Sequence, residues 1–204
     1  MRPIICLVTP GNGASSALID RIAAAARAGV DFVQIREREL DDRTLLALTR
    51  EAFAAVRGTP ARVLVNARMD IALAAGAAGV HLRGDSPPAF RVRSIVPAGF
   101  VIGRSVHSEA EAVEMEARGG CDYLMFGTVF ASPSKPAGQR PAGTDVLKRV
   151  TARVGLPVLA VGGVSVDRAS EIARAGAAGV AAIGLFASGN LAATIRELRS
   201  RFDT

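Results

Sequence analysis

The stretch that decides the fold is Ala26-Arg27-Ala28-Gly29-Val30-Asp31-Phe32-Val33-Gln34-Ile35. It reads as the end of a helix, a glycine that stops it, a tight turn and an apolar strand. Glycine suits the stop because a residue without Cβ enters the left-handed region at no steric cost. The phrase returns as Ala74-Ala75-Gly76-Ala77-Ala78-Gly79-Val80-His81-Leu82 and as Ala117-Arg118-Gly119-Gly120-Cys121-Asp122-Tyr123-Leu124-Met125-Phe126. Its last copy is Ala173-Arg174-Ala175-Gly176-Ala177-Ala178-Gly179-Val180-Ala181-Ala182-Ile183.

Outward from these copies lie four more short apolar runs, at residues 4–8, 63–66, 100–104 and 157–161. Continuous apolar runs of that length are the pattern of strands buried on both faces. Helical patterns separate them, at 14–28, 43–57, 69–75, 89–96, 109–118, 144–153, 168–175 and 191–201. Good helix starts include Ser108 ahead of Glu109-Ala110-Glu111, and Ser165 and Asp167 ahead of Arg168. Strand and helix therefore alternate about eight times, which calls for a parallel sheet. Without a linker between the units, the expectation is one α/β domain over residues 1–204, a (β/α)8 TIM barrel. An open doubly wound sheet is the alternative.

Composition narrows the function. The chain has 204 residues, half of them hydrophobic, enough for one large core. No apolar run reaches the roughly 18 residues of a membrane span. Met1-Arg2-Pro3-Ile4 does not open a signal peptide, so a soluble cytoplasmic protein is expected. The net charge is +6, carried by dispersed arginines with only Lys135 and Lys148 beside them, and aromatic residues are 4%. Nucleic-acid binding is not expected without stacking platforms; a small anionic substrate fits better. Cys6 and Cys121 read as buried reduced thiols, and two Cys with two scattered His do not make a zinc site. Neither a dinucleotide fingerprint nor a P-loop occurs. Apolar helix positions are compatible with a homo-oligomer.

In such a barrel the site lies at the C-terminal ends of the strands. Gln34, Arg36 and Arg38 alternate there, so they share a face toward the interior or mouth. Buried guanidinium groups need partners, from a substrate anion or from Glu37 and Glu39. Asn66 ends the third strand, His81 and Arg83 the fourth, Arg104 and His107 the fifth. Gly162 and Gly163 after strand seven and Gly184 after strand eight expose backbone N–H groups suited to a phosphate. Ser132-Pro133-Ser134-Lys135 opens a Gly/Pro/Ser-rich loop, read as a lid bringing a cation onto that phosphate. His107 is an acid/base candidate because imidazole titrates near neutrality.

Several segments together carry a resemblance. They are Val33-Gln34-Ile35-Arg36-Glu37-Arg38, Val65-Asn66-Ala67-Arg68-Met69-Asp70, Gly79-Val80-His81-Leu82, Ile102-Gly103-Arg104-Ser105-Val106-His107-Ser108, Phe126-Gly127-Thr128-Val129-Phe130, Ser132-Pro133-Ser134-Lys135 and Ala160-Val161-Gly162-Gly163-Val164. The chain resembles, over nearly its whole length, the superfamily of thiamine phosphate synthases and thiazole tautomerases. The resemblance implies a (β/α)8 barrel with a thiazole phosphate at the loops after strands seven and eight. Its synthase branch implies Mg²⁺ on carboxylates, holding a departing diphosphate. Synthases typically carry Asn-Asp where this chain has Asn66-Ala67, and their second metal aspartate falls on Ser86 of Arg83-Gly84-Asp85-Ser86.

With those carboxylates missing, and with Gln34-Ile35-Arg36-Glu37-Arg38, Ile102-Gly103-Arg104-Ser105-Val106-His107-Ser108 and the Tyr123 to Phe130 segment resembling tautomerases more than synthases, the tautomerase branch is the expected one. It is an isomerase that aromatises a carboxylated thiazole phosphate by proton transfer, with no metal or other cofactor. In that reading Lys135 and the glycines, with Ser132 and Ser134, hold the phosphate. Arg36 or Arg38 meets the carboxylate. A histidine that follows Phe-Gly in some tautomerases is Thr128 here, so the acid/base role passes to His107 or Glu37. A Mg²⁺-dependent synthase and a non-catalytic thiazole-phosphate binder are the alternatives.

Overall fold

Gly29 has φ 100°, and its N–H reaches back to the carbonyls of Ala25 and Ala26, closing the first helix as the opening stretch predicts. Gly76 repeats the device at φ 70°. The computed structural model describes residues 2–132 and 140–202.

The strands are β1 Ile4–Val8, β2 Phe32–Ile35, β3 Arg62–Asn66, β4 Gly79–Leu82, β5 Val101–Val106, β6 Tyr123–Gly127, β7 Val158–Val161 and β8 Gly179–Ala182. The helices are α1 Ser16–Ala28, α2 Asp42–Ala55, α3 Met69–Ala75, α4 Ala89–Arg93, α5 Glu109–Arg118, α6 Gly143–Arg153, α7 Ala169–Arg174 and α8 Leu191–Phe202. A 3-10 turn, Gly184–Phe186, follows β8.

Each strand pairs parallel with the next, and β1 pairs with β8 through Ile4 opposite Gly179 and Cys6 opposite Ala181. The sheet is thus a closed barrel, and the open alternative is excluded. Among the described residues no helix is long and apolar enough to cross a membrane.

Alternation divides the core in two. One set, including Ile5, Val33, Val65, Val80 and Phe126, meets the helices. The other fills the barrel: Cys6, Val8, Leu64, Val101, Tyr123, Met125, Leu159 and Ala181. Space inside is short, and a Cβ on Gly103 would come within 2.1 Å of the Tyr123 ring. That ring stacks on Phe32 and His81 at 5.6 and 5.7 Å. Burial pushes the Cys6 thiol up to about 12, so it stays protonated and unreactive at neutral pH.

The fifth strand departs from expectation. It ends at Val106 rather than Arg104, because pairing with β6 continues to Val106 opposite Phe126. That extension decides which side chains of this segment reach the site.

Candidate functional site

The C-terminal mouth of the barrel holds two adjoining cavities. One, of about 300 Å³, lies over the axis and is lined by Gln34, Arg36, Arg38, Asn66, Arg83, His107 and Thr128 among others. The second, of about 510 Å³, lies between the loops after β7 and β8, with Ser132, Gly162, Gly163 and Gly184 in its wall. The two share Val161, Gly162 and Ile183.

Gln34 is buried, and its Nε2 donates to Asn66 Oδ1 at 3.4 Å. One turn of the chain later, the Arg36 N–H donates to the buried Thr9 hydroxyl at 2.8 Å, which fixes the start of the arginine pair. Among the described residues neither Arg36 nor Arg38 makes an ion pair. Arg83 reaches Asp85 at 2.7 Å across the exposed rim. Burial lowers the Arg36 pKa from its ordinary value; the positive charges of Arg38 and Arg83 add to this, and Glu37 opposes it. This wall is therefore a cluster of like charges turned to one cavity, an electrostatic setting for an anion.

Gly162 and Gly163 have φ 95° and 63°. A Cβ on Gly162 would meet Thr128 Cγ2 at 2.5 Å, and one on Gly163 would meet the Ala131 carbonyl at 2.4 Å. Only glycine lets the two loops approach this closely. Arg168 holds the turn from outside, donating to the Gly163 carbonyl at 2.6 Å with its guanidinium 4.5 Å from the Phe130 ring centroid. Sequence reading missed Arg168, since nothing local marks a contact to the preceding loop. Gly184 has open space around its Cα.

His107 stands at the exposed rim. Its Nδ1 lies 2.6 Å from the Gly127 carbonyl, which only accepts, so the neutral ring carries its proton there and Nε2 is left as an acceptor. Thr128 is buried beside it, and its carbonyl accepts the Ala142 N–H at 2.9 Å.

Two candidates stand elsewhere. Glu37 is buried, and its two oxygens accept the N–H groups of Gly11 and Gly13 at 3.0 and 2.7 Å. It holds the β1–α1 loop, and both oxygens are engaged, which corrects the expectation of a proton shuttle. Arg104 does not line either cavity. It alternates with Gly103 and Ser105 and therefore points away from the axis, donating to the carbonyls of Gly84 and Pro87 at 3.1 and 3.0 Å. Ser134 and Lys135, with the lid assigned to them, lie outside the described residues.

Arg83 and His81 do face the axis. Sequence reading noted both at the end of the fourth strand, took His81 as structural and gave Arg83 no role; the period of two already linked them. His81 is buried between the Tyr123 hydroxyl at 3.0 Å and Ser105 Oγ at 2.8 Å. Burial, reinforced by Arg104, pushes its pKa down to about 3, so the ring is neutral.

Three carboxylates near the mouth, Asp42, Asp70 and Asp85, are committed to arginines. Asp70 takes Arg68 through both oxygens, and Arg68 also binds Asp42. The Arg68 guanidinium holds the Asp70 carboxyl below the usual range. Ser86 Oγ accepts the Arg83 N–H at 2.9 Å. Ala67, at φ 62°, brings no donor. Among the described residues no group of three or more His, Cys, Asp and Glu is placed to hold a metal.

The sequence profile of the family described as thiamine monophosphate synthase matches residues 5–186. A thiamine-phosphate synthase of Methanoculleus marisnigri is 39% identical over 194 residues, 95% of this chain and 90% of that one. One from Roseiflexus castenholzii is 37% identical over 183 residues, 89% of this chain and 80% of that one. The solved thiamine phosphate pyrophosphorylase of Pyrococcus furiosus superposes with a TM-score of 0.85 at 28% identity, covering 98% and 95% of the two chains. These relatives correct the expectation of an isomerase of the tautomerase branch: the likeness runs along the whole chain to proteins named as synthases, whereas that expectation rested on two substituted positions and three short motifs. By the profile match and by identity across most of its length, the chain belongs to the thiamine monophosphate synthase family.

Proposed function

We propose that the chain joins a pyrimidine carried on a diphosphate to a thiazole phosphate, the reaction of a thiamine-phosphate synthase. The observation that carries the proposal is the pair of adjoining cavities, one walled by Arg36, Arg38 and Arg83 and the other by the glycine loops after β7 and β8. One suits a diphosphate and the other a monophosphate, which is what two such substrates meeting at their reacting ends require.

In this reading the bond from the pyrimidine methylene carbon to oxygen breaks, and its electron pair leaves with the diphosphate. The lone pair of the thiazole nitrogen forms the new carbon–nitrogen bond. That nitrogen bears no proton, so the coupling needs no general base. Thr128 in place of a histidine, and Glu37 tied to Gly11 and Gly13, are then no obstacle.

The arginines act where negative charge develops on the leaving group. The amides of Gln34 and Asn66 orient the diphosphate beside them. Backbone N–H groups at Gly162, Gly163 and Gly184, with Ser132 and the sequence-assigned Ser134 and Lys135, hold the thiazole phosphate. Nε2 of His107 accepts a hydrogen bond from substrate and positions it.

Family membership brings Mg²⁺ with it in general. The donors present here do not fit a carboxylate-held ion, because Ala67 and Ser86 offer none and Asp70 and Asp85 are bound to Arg68 and Arg83. No step above runs through a metal.

The test is a coupling assay with both substrates, one arm in chelator and one in excess Mg²⁺, resolved by chromatography. Thiamine phosphate and diphosphate appearing in equal amounts in either arm is the expected result. Substrates unchanged in both arms would refute the reaction, and retained binding of thiazole phosphate would then mark a silent binder.

A further inference from the structure

We infer that this chain meets the charge of the diphosphate with the guanidinium groups of Arg36, Arg38 and Arg83 and does so without a protein-held divalent cation. The inference rests on the proposed coupling reaction for the identity of the anion, but not for its charge.

A hard divalent cation is held by carboxylate oxygens, at least one or two of them free to face it. At the two positions where the resemblance places metal aspartates stand Ala67 and Ser86, and the Ser86 hydroxyl accepts the Arg83 N–H. The nearby acids are neutralised by arginines already: Asp70 and Asp42 by Arg68, Asp85 by Arg83. Ala67 lines a small cavity of about 150 Å³ together with Arg38, Arg68 and Arg83. The space beside the missing carboxylate is thus bordered by three arginines and by one carboxylate, Glu37, whose two oxygens are already taken by the Gly11 and Gly13 N–H groups.

Arg36 is half-buried and, like Arg38, makes no ion pair among the described residues. A half-buried guanidinium without an ion pair, as at Arg36, is costly, and a bound anion removes that cost. A divalent ion placed there would be repelled by the unpaired Arg36 and Arg38, whereas a diphosphate without one is attracted by both and by Arg83, whose charge Asp85 partly offsets. Arginine also suits the task by geometry, since its planar fork offers paired donors to phosphate oxygens.

The chemistry balances without a metal. The leaving diphosphate takes the electron pair of the broken carbon–oxygen bond, and the arginines offset the added charge without gaining or losing a proton.

The experiment is calorimetric titration of inorganic diphosphate into the purified chain, in chelator and in Mg²⁺. Binding in chelator, within about threefold of the Mg²⁺ value, is expected. Arg36→Gln and Arg83→Gln should each weaken it at least tenfold while the thermal unfolding midpoint moves little. The double substitution Ala67→Asp with Ser86→Asp should weaken binding in chelator and restore it when Mg²⁺ is added. Diphosphate binding seen only with Mg²⁺ overturns the inference, as does binding indifferent to both arginine substitutions. The two readings fail separately. Coupling that occurs only with Mg²⁺ removes this inference and leaves the reaction standing. Diphosphate binding in chelator without coupling does the reverse.

Discussion

His81 illustrates how a single buried side chain sets a condition on the whole site. Its ring nitrogens are both engaged, by Tyr123 and Ser105, and burial holds its pKa at about 3. In the unfolded chain the same ring titrates near 6.5. Between those values the unfolded state binds the proton and the folded state does not. Stability from His81 is therefore complete above about pH 6.5 and falls as pH drops toward 3, by about 1.4 kcal/mol per unit. Going from pH 6.5 to 5 should cost about 2 kcal/mol from this residue alone. His81→Gln, which keeps a donor and an acceptor but cannot take up that proton, should unfold in urea with a visibly flatter pH dependence. Equal slopes for the two proteins would show that the ring is solvated and titrates freely.

At the scale of elements, the site is built by loops held from a distance. Glu37 follows β2 but secures the β1–α1 loop through Gly11 and Gly13, residues that carry no signal of the contact in sequence. Glu37→Ala leaves two amide donors without a partner and should cost about 2 to 4 kcal/mol, with Glu37→Gln recovering part of it by keeping one acceptor. Hydrogen exchange at the Gly11 and Gly13 amides is the direct readout, and unchanged protection in the alanine variant would remove the clamp. The loops after β7 and β8 give a contrast between glycines. Gly162→Ala meets both a positive φ and a Thr128 carbon at 2.5 Å, so it should lower stability by about 1 to 3 kcal/mol and weaken thiazole-phosphate binding. Gly184→Ala faces open space and should change stability by less than about 0.5 kcal/mol. Similar losses for both would mean that backbone strain is not what reserves Gly162 for glycine.

For the molecule as a whole, the barrel was legible because its signal is repeated: helix, glycine stop and doubly buried strand recur until only closure satisfies every strand. The general place of the site was legible too, since it follows from the ends of parallel strands. What escaped was pairing across the chain. Arg104 was assigned to the mouth because β5 was read as ending there, and its outward direction depends on register with β6. The branch was misread for a related reason: two lost carboxylates and three tautomerase-like motifs are conspicuous, while likeness spread over 194 residues is not visible in any one motif. Closure has its own long-range device at the opposite end of the barrel. Arg199 of α8 donates to the carbonyls of Pro3 at 3.0 Å and of Gly29, and meets Asp31 at 3.1 Å. The same Asp31 oxygen accepts the Ile5 N–H at 2.8 Å. One guanidinium therefore ties the last helix to the entries of β1 and β2, and it is the more buried of the two arginines that meet Asp31, Arg2 reaching the other oxygen at 3.1 Å from the exposed side. Arg199→Ala should lower stability by about 2 kcal/mol, because a partly buried carboxylate and two carbonyls lose their donor together. The urea midpoint should fall with the slope of the transition unchanged, as expected when the barrel still unfolds as one unit. A second, earlier transition would instead mean that α8 comes away first, and that the strap joins the last helix to the barrel without contributing to the barrel's own closure.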